Sequence, residues 1–157
     1  MFTRSCATGV SAGPLGRWKS SSIRAGRVWI YLWGATSGDG HAGRLAPARF
    51  AAPAPGRFVV WKTMIIAPAG GPVVVRVAPS SVRRLRLAFR LPQDSPAPLA
   101  AGQIADRFAP CAAGVTFFNG GLIVAGAQCG HLQVSQGGGR PVGVVAALGR
   151  RRCMVDT

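Results

Sequence analysis

Beyond residue 57, apolar and polar positions alternate with a period of two over much of the chain. The clearest case is 84–91, where Leu85, Leu87, Phe89 and Leu91 share one face and Arg84, Arg86, Ala88 and Arg90 the other. That period, with one apolar face, predicts a half-buried antiparallel strand. At helical spacing the arginines would spread round the cylinder, and Pro92 would cut the helix short. Residues 58–66 are rich in β-branched and aromatic side chains and predict a strand; 73–77 predicts another, and the turn at 67–72 makes the pair a hairpin. A weak strand is expected at 104–108, after a long loop carrying Pro92, Pro96 and Pro98. Asn119-Gly120-Gly121 lies between apolar runs at 114–118 and 122–125, and predicts a hairpin turn because Asn and Gly tolerate positive φ. Residues 131–135 alternate again, three glycines turn the chain at 137–139, and 142–148 predicts a last strand. About seven or eight short strands with frequent turns make the fold all-β, a small antiparallel β-sandwich or barrel.

Residues 1–56 are patterned less well. Arg4, Arg17, Lys19, Arg24 and Arg27 occur among Ser and Gly with no acid, which suits a transit peptide or a basic arm. The apolar core of a secretory signal, roughly 7–15 residues, is not visible there. A short strand is expected at 28–33, loop chemistry at 37–43, and a linker where Pro47, Pro53 and Pro55 interrupt the alanines. The expected organisation is therefore a weakly ordered basic N-terminal arm, or mis-assigned upstream sequence, over 1–56, and a β-rich domain over 57–157.

Composition sharpens this picture. The chain has 157 residues, enough for one domain with a real core. Nineteen basic residues face four acidic ones, for a formal charge of +15; seventeen are arginine, and glutamate is absent. Ala, Gly, Arg and Pro make up nearly half the chain, the signature of a GC-rich gene. Helical bundles and coiled coils are excluded, since Glu, Lys and Leu are scarce. A hydrophobic content of 48% argues against wholesale disorder. No apolar run approaches the roughly 18–20 residues of a membrane-spanning helix.

The four cysteines lack zinc or redox spacing, and His41 and His131 complete no metal set, so neither metal nor cofactor is expected. Cys111 and Cys129 each lie nine positions from Gly120, which sets them opposite one another in a hairpin turning there. Cys129 with Cys153 is the competing bridge, because the last strand should pair with the one starting after Cys129. Cys153 with Cys6, and four reduced thiols, remain open. A disulfide favours an extracytoplasmic compartment, secreted or envelope-associated.

The run Phe117-Phe-Asn-Gly-Gly-Leu-Ile-Val-Ala-Gly-Ala-Gln-Cys129, with Cys111 before it and Leu132-Gln-Val134, Leu148-Gly149 and Cys153 after it, resembles the C-terminal part of small exported or envelope-anchored β-rich proteins of GC-rich actinobacteria. The resemblance covers the chain from about residue 57 onward and implies compartment and fold, not chemistry. Gly130-His131 departs from it, as does the lack of a visible export signal.

Arg76, Arg84, Arg86 and Arg90, with Arg83, form a candidate anion-binding stripe, since guanidinium groups grip phosphate with two donors. Phe89 falls on the opposite face, where it cannot add stacking. Arg150-Arg-Arg152 suits anionic lipid. Trp18, Trp29, Trp33 and Trp61 read first as core or strand anchors, with Trp29 and Trp33 also placed to touch a membrane interface. Ser135, His131 and Asp106 form a catalytic set only on paper, and residues 137–140 lack the ending of a phosphate loop. The expected function is a non-enzymatic exported or envelope-associated binding or structural module. The sequence does not identify its partner; the arginines would suit an anionic surface or nucleic acid, and no small-molecule ligand is expected. The alternatives are a basic nucleic-acid-associated protein and a mispredicted frame with no cellular role.

Overall fold

The computed structural model describes residues 1–11, 17–33, 35–36, 44–45, 56, 58–90, 96–149 and 153. The strands, in chain order, are β1 (Phe2–Ser5), β2 (Val10–Ser11), β3 (Ser22–Ala25), β4 (Val28–Leu32), β5 (Ala35–Thr36), β6 (Arg44–Leu45) and β7 (Val59–Pro68). They continue with β8 (Val73–Val77), β9 (Leu85–Leu87), β10 (Ala105–Ala109), β11 (Val115–Val124), β12 (Gln128–Gln136) and β13 (Val142–Leu148). Among the described residues the only helical pieces are short 3-10 turns, at Cys6–Thr8, Arg17–Ser21 and Leu99–Ala101.

Two sheets face each other. The larger has the order β1-β10-β8-β12-β13-β6-β5, and the smaller β2-β11-β7-β4-β3, with β9 also on β11. Pairing is antiparallel except where β1 joins β10 and β6 joins β13. The architecture is the all-β sandwich or barrel that the alternation predicts. The smaller sheet is built on the ten-residue ladder of β7 with β11, from Val115 opposite Pro68 to Val124 opposite Val59. Leu85, Leu87 and Phe89 all point into the core, as their period of two requires. They meet Val73, Val75 and Val77 of β8 and Leu132 and Val134 of β12 in one cluster. Phe108 lies at its centre, with ring centroids 4.8 Å from Phe89 and 5.2 Å from Phe118.

The N-terminal third is used differently from the expected arm. Its described residues supply β1–β6, and Ile23, Val28, Ile30 and Leu32 are fully or almost fully buried in the main core. The two alternating stretches are only four and five residues long, and Gly26 at φ 62° joins them in a tight turn. Each stretch is too short to stand out from the surrounding arginines and serines. The expected linker, with Pro47, Pro53 and Pro55, lies outside the described residues.

Two expected hairpins are corrected. Residues 119–121 are not a turn: β11 runs straight through them. Gly120 faces inward, and a Cβ there would stand 2.1 Å from the ring of Phe89. Gly121 faces outward, where a Cβ would lie 2.7 Å from Val60 Cγ1. The glycines therefore serve close packing from both sides of one strand. Strands β7 and β8 do not pair either. Gly70 and Gly71, at φ 134° and 97°, carry the chain across from one sheet to the other. The hairpin of β12 with β13 forms as expected, through Gly137 and Gly138 at φ 61° and 78°. Outside the smaller sheet, Val60, Ala88, Ala97 and Ile123 make a second small cluster with Phe58 and Leu99. Ala97 reaches it through an antiparallel bridge to Phe58.

Gly120→Ala should cost about 1–3 kcal/mol of stability in urea unfolding, by overpacking against Phe89. Adding Phe89→Leu should make the double variant less unstable than the sum of the two singles. Strict additivity would contradict the contact.

Candidate functional site

All four cysteines are paired, Cys6 with Cys111 and Cys129 with Cys153, with Cα separations of 4.8 and 5.6 Å. The expected Cys111–Cys129 bridge is corrected: without a turn at 119–121, those two residues are not brought opposite one another. The parallel pairing of β1 with β10 ends at Ser5 opposite Ala109, which brings Cys6 beside the segment holding Cys111. Nothing local in the sequence announces this pair, because β1 is four residues long and contains an arginine. Cys129 lies opposite Ala147 in the β12–β13 ladder, so the chain leaving β13 returns Cys153 to it. The sequence separations are 105 and 24 residues. Closing loops of these sizes in the unfolded chain corresponds to about 4–5 and about 3–4 kcal/mol by chain entropy.

The candidate arginine stripe is dispersed. Arg76 is exposed on β8 in the larger sheet, flanked by Ala105 and Gln133. Arg84 precedes β9, and its guanidinium donates to the carbonyls of Ala125 and Ala127, tying down the chain after β11. Arg86 donates to the carbonyl of Leu85. Arg90 lies over the ring of Phe2 at 4.9 Å, and Arg83 is exposed. Strand β9 has only three residues, so Arg84 and Arg90 fall outside it and leave its face. The paper triad is likewise separated, with Asp106 fully buried and His131 and Ser135 half-buried on β12. Residues 150–152 lie outside the described residues. Among the described residues, no group of three His, Cys, Asp or Glu side chains could hold a metal ion. Open clefts dent the surface among the described residues. One, of about 250 Å³, is edged by Arg27, Gln136 and Arg140; another, of about 280 Å³, by His131 and Gln133.

The unusual charge is Asp106. It shares the inward side of β10 with Phe108, and the Phe2 backbone N–H that acts on its carboxylate falls short of full hydrogen-bond geometry. Burial raises its pKa from 3.8 to about 6, although the Phe2 backbone N–H, the terminal amino group and Arg90 all pull the other way. Nearby on β1, Arg4 reaches inward and donates to the carbonyls of Asn119 and Thr8, with Phe118 5.8 Å from its guanidinium. Burial lowers its pKa. Asp106 is the only acid among the described residues, and no described Lys or Arg forms an ion pair with it. Apart from Arg90, which acts on Asp106, the exposed cations have no described carboxylate beside them.

The richest surface constellation is one that the sequence reading resolved only in part. On the outer side of the smaller sheet, Arg24, Trp29, Ile66 and Phe117 stand in one cross-strand row. Ser22, Tyr31, Met64 and Asn119 stand in the next. The Ser22 hydroxyl donates to the Trp18 carbonyl at 2.7 Å and holds the 3-10 turn against the sheet. Trp18 lies edge-on to both Trp29 and Phe117, at 5.4 and 6.5 Å, and so spans Ile66 between them. Tyr31 and Trp33 meet at 6.3 Å and 80°. Lys19 lies within 6 Å of Trp18 and Trp29, Arg24 is 5.6 Å from Trp29, and Lys62 is 5.0 Å from Trp33. Trp61, by contrast, is a core residue whose indole N–H donates to the Trp33 carbonyl. The two-residue spacing of Trp29, Tyr31 and Trp33 is the sequence signal for this face, since it puts all three on one side of β4 and its extension.

No protein-family model matches the chain, and no curated protein or solved structure matches it.

Asp106 holds its proton more tightly when folded than unfolded, so its contribution to stability is fullest below about pH 4 and is lost as pH rises through about 6. Unfolding free energy should fall by roughly 2–3 kcal/mol from this group between about pH 4 and about pH 7. Asp106→Asn should remove that slope and stabilise the protein at neutral pH. An unchanged slope in the variant would contradict the assignment.

Proposed function

We propose that the chain is a non-enzymatic β-sandwich module of an oxidising, extracytoplasmic compartment, secreted or envelope-associated, and that it works by binding. The observation that carries the reading is the use of all four cysteines in two disulfides, one spanning 105 residues. Such bonds persist outside the reducing cytosol. An anionic partner follows from charge: +15 overall, with the only described carboxylate buried. The alternative nucleic-acid reading through Arg76, Arg84, Arg86 and Arg90 draws less support, because those residues do not share one face.

Protein taken from its native cells with thiols blocked at lysis should yield Cys6–Cys111 and Cys129–Cys153 cross-linked peptides. Reduction should cost several kcal/mol of stability, about 2–5 for each bond lost. Four free thiols in the native protein would overturn the extracytoplasmic reading.

A further inference from the structure

We propose that the outer face of the smaller sheet, centred on Trp29, Tyr31 and Trp33, docks the protein onto an anionic lipid surface. This deepens the extracytoplasmic reading and rests on it. Trp33 is 51% exposed, and Trp29, Tyr31 and Met64 are half-buried, so the face offers large apolar rings to whatever lies over it. Lys19, Arg24 and Lys62 are set among the rings, and no described carboxylate shares the face. Indole and phenol rings bordered by cations match a headgroup layer: the rings sit at the level of the glycerol backbone while the cations reach phosphate. Long Lys and Arg stems suit this, because they bury methylenes and keep the charge in water.

The ring geometry separates this partner from a single-stranded nucleic acid. Bases stack on a series of open, roughly parallel faces. Here neighbouring rings stand at 88° and 80° to one another, and a cation lies over Trp18, Trp29 and Trp33. A base would have to displace a cation from each indole. A lipid surface asks only that the ring edges enter and that the cations remain beside them.

The test uses the oxidised full-length protein with vesicles of phosphatidylglycerol and of phosphatidylcholine, read by co-sedimentation and tryptophan fluorescence. Phosphatidylglycerol vesicles should bind the protein more tightly, with affinity falling as salt rises and the emission shifting to the blue. Lys19→Gln, Arg24→Gln and Lys62→Gln should each weaken binding about fivefold. Trp33→Ala should weaken it about tenfold without altering thermal unfolding, since the ring is exposed. Arg107→Gln, on the larger sheet, should change binding less than about twofold. Equal losses from Arg107→Gln and Lys62→Gln would overturn the face, as would absent binding to phosphatidylglycerol. Tighter, Trp33-dependent binding of a single-stranded oligonucleotide would overturn the lipid partner. Any of these results with both disulfides intact leaves the compartment reading standing, whereas free thiols in the native protein would sink that reading and leave vesicle binding to be judged separately.

Discussion

The close approach of the Phe89 ring to the backbone of Gly120 organises the sandwich. It lets a large aromatic side chain from just after β9 lie against the middle of β11, where any side chain would exclude it. Phe89 then meets Phe108, and Phe108 meets Phe118, so that one aromatic chain links the segment after β9 to β10 and β11 across the two sheets. The adjacent Gly121 does the same work on the outer side, admitting Val60 close to β11 with Ala88 beside it. Two glycines in one strand thus support two apolar clusters. Strand β10, which delivers Phe108 to the core, also delivers Asp106, and the parallel β1 beside it brings Cys6 to Cys111. The buried carboxyl and the long-range disulfide are both consequences of how this edge is packed.

Charge follows a second logic. A protein with this much arginine and so little acid cannot neutralise itself, and its one described carboxylate is spent in the interior. Several cations are instead engaged by groups that carry no charge. Arg84 binds carbonyls, Arg4 binds carbonyls and faces a ring, and Lys19, Arg24, Lys62 and Arg90 lie against aromatic rings. Carbonyl and ring contacts orient a cation while leaving its charge uncancelled. The outer face of the smaller sheet concentrates three such cations among exposed and half-buried rings, which is why the proposed anionic partner is placed there and not on the dispersed arginines of β8 and β9.

Much of the strand pattern was legible in the sequence, and the reasons for the exceptions are physical. Alternation marked β9 and β12, composition marked β7, and three glycines marked the β12–β13 turn, because each of these signals arises within the element it describes. Asn119-Gly120-Gly121 misled because the same glycines that permit positive φ also permit close approach in an extended strand. Which use applies depends on Phe89 and Val60, some thirty and sixty residues away in sequence. The cysteine pairing followed that error, since Cys111 opposes Cys129 only if the chain turns between them. The turn at 67–72 was visible, but no local signal says whether a turn returns the chain within its sheet or passes it to the other. Trp29, Tyr31 and Trp33 were visible as alternating residues, yet their cationic neighbours come from three other segments and needed the fold to gather them.

The central claim is that the N-terminal strands and strands β7–β13 form one cooperative sandwich held by the β7–β11 ladder. Native-state hydrogen exchange on the oxidised protein tests it most directly. Amides of β4 at Val28–Leu32 should exchange as slowly as those of β7 and β11, including Asn119, Gly120 and Gly121, and all should open in a single unfolding event. Free exchange across β4, or rapid exchange confined to residues 119–121 beside protected neighbours, would contradict it.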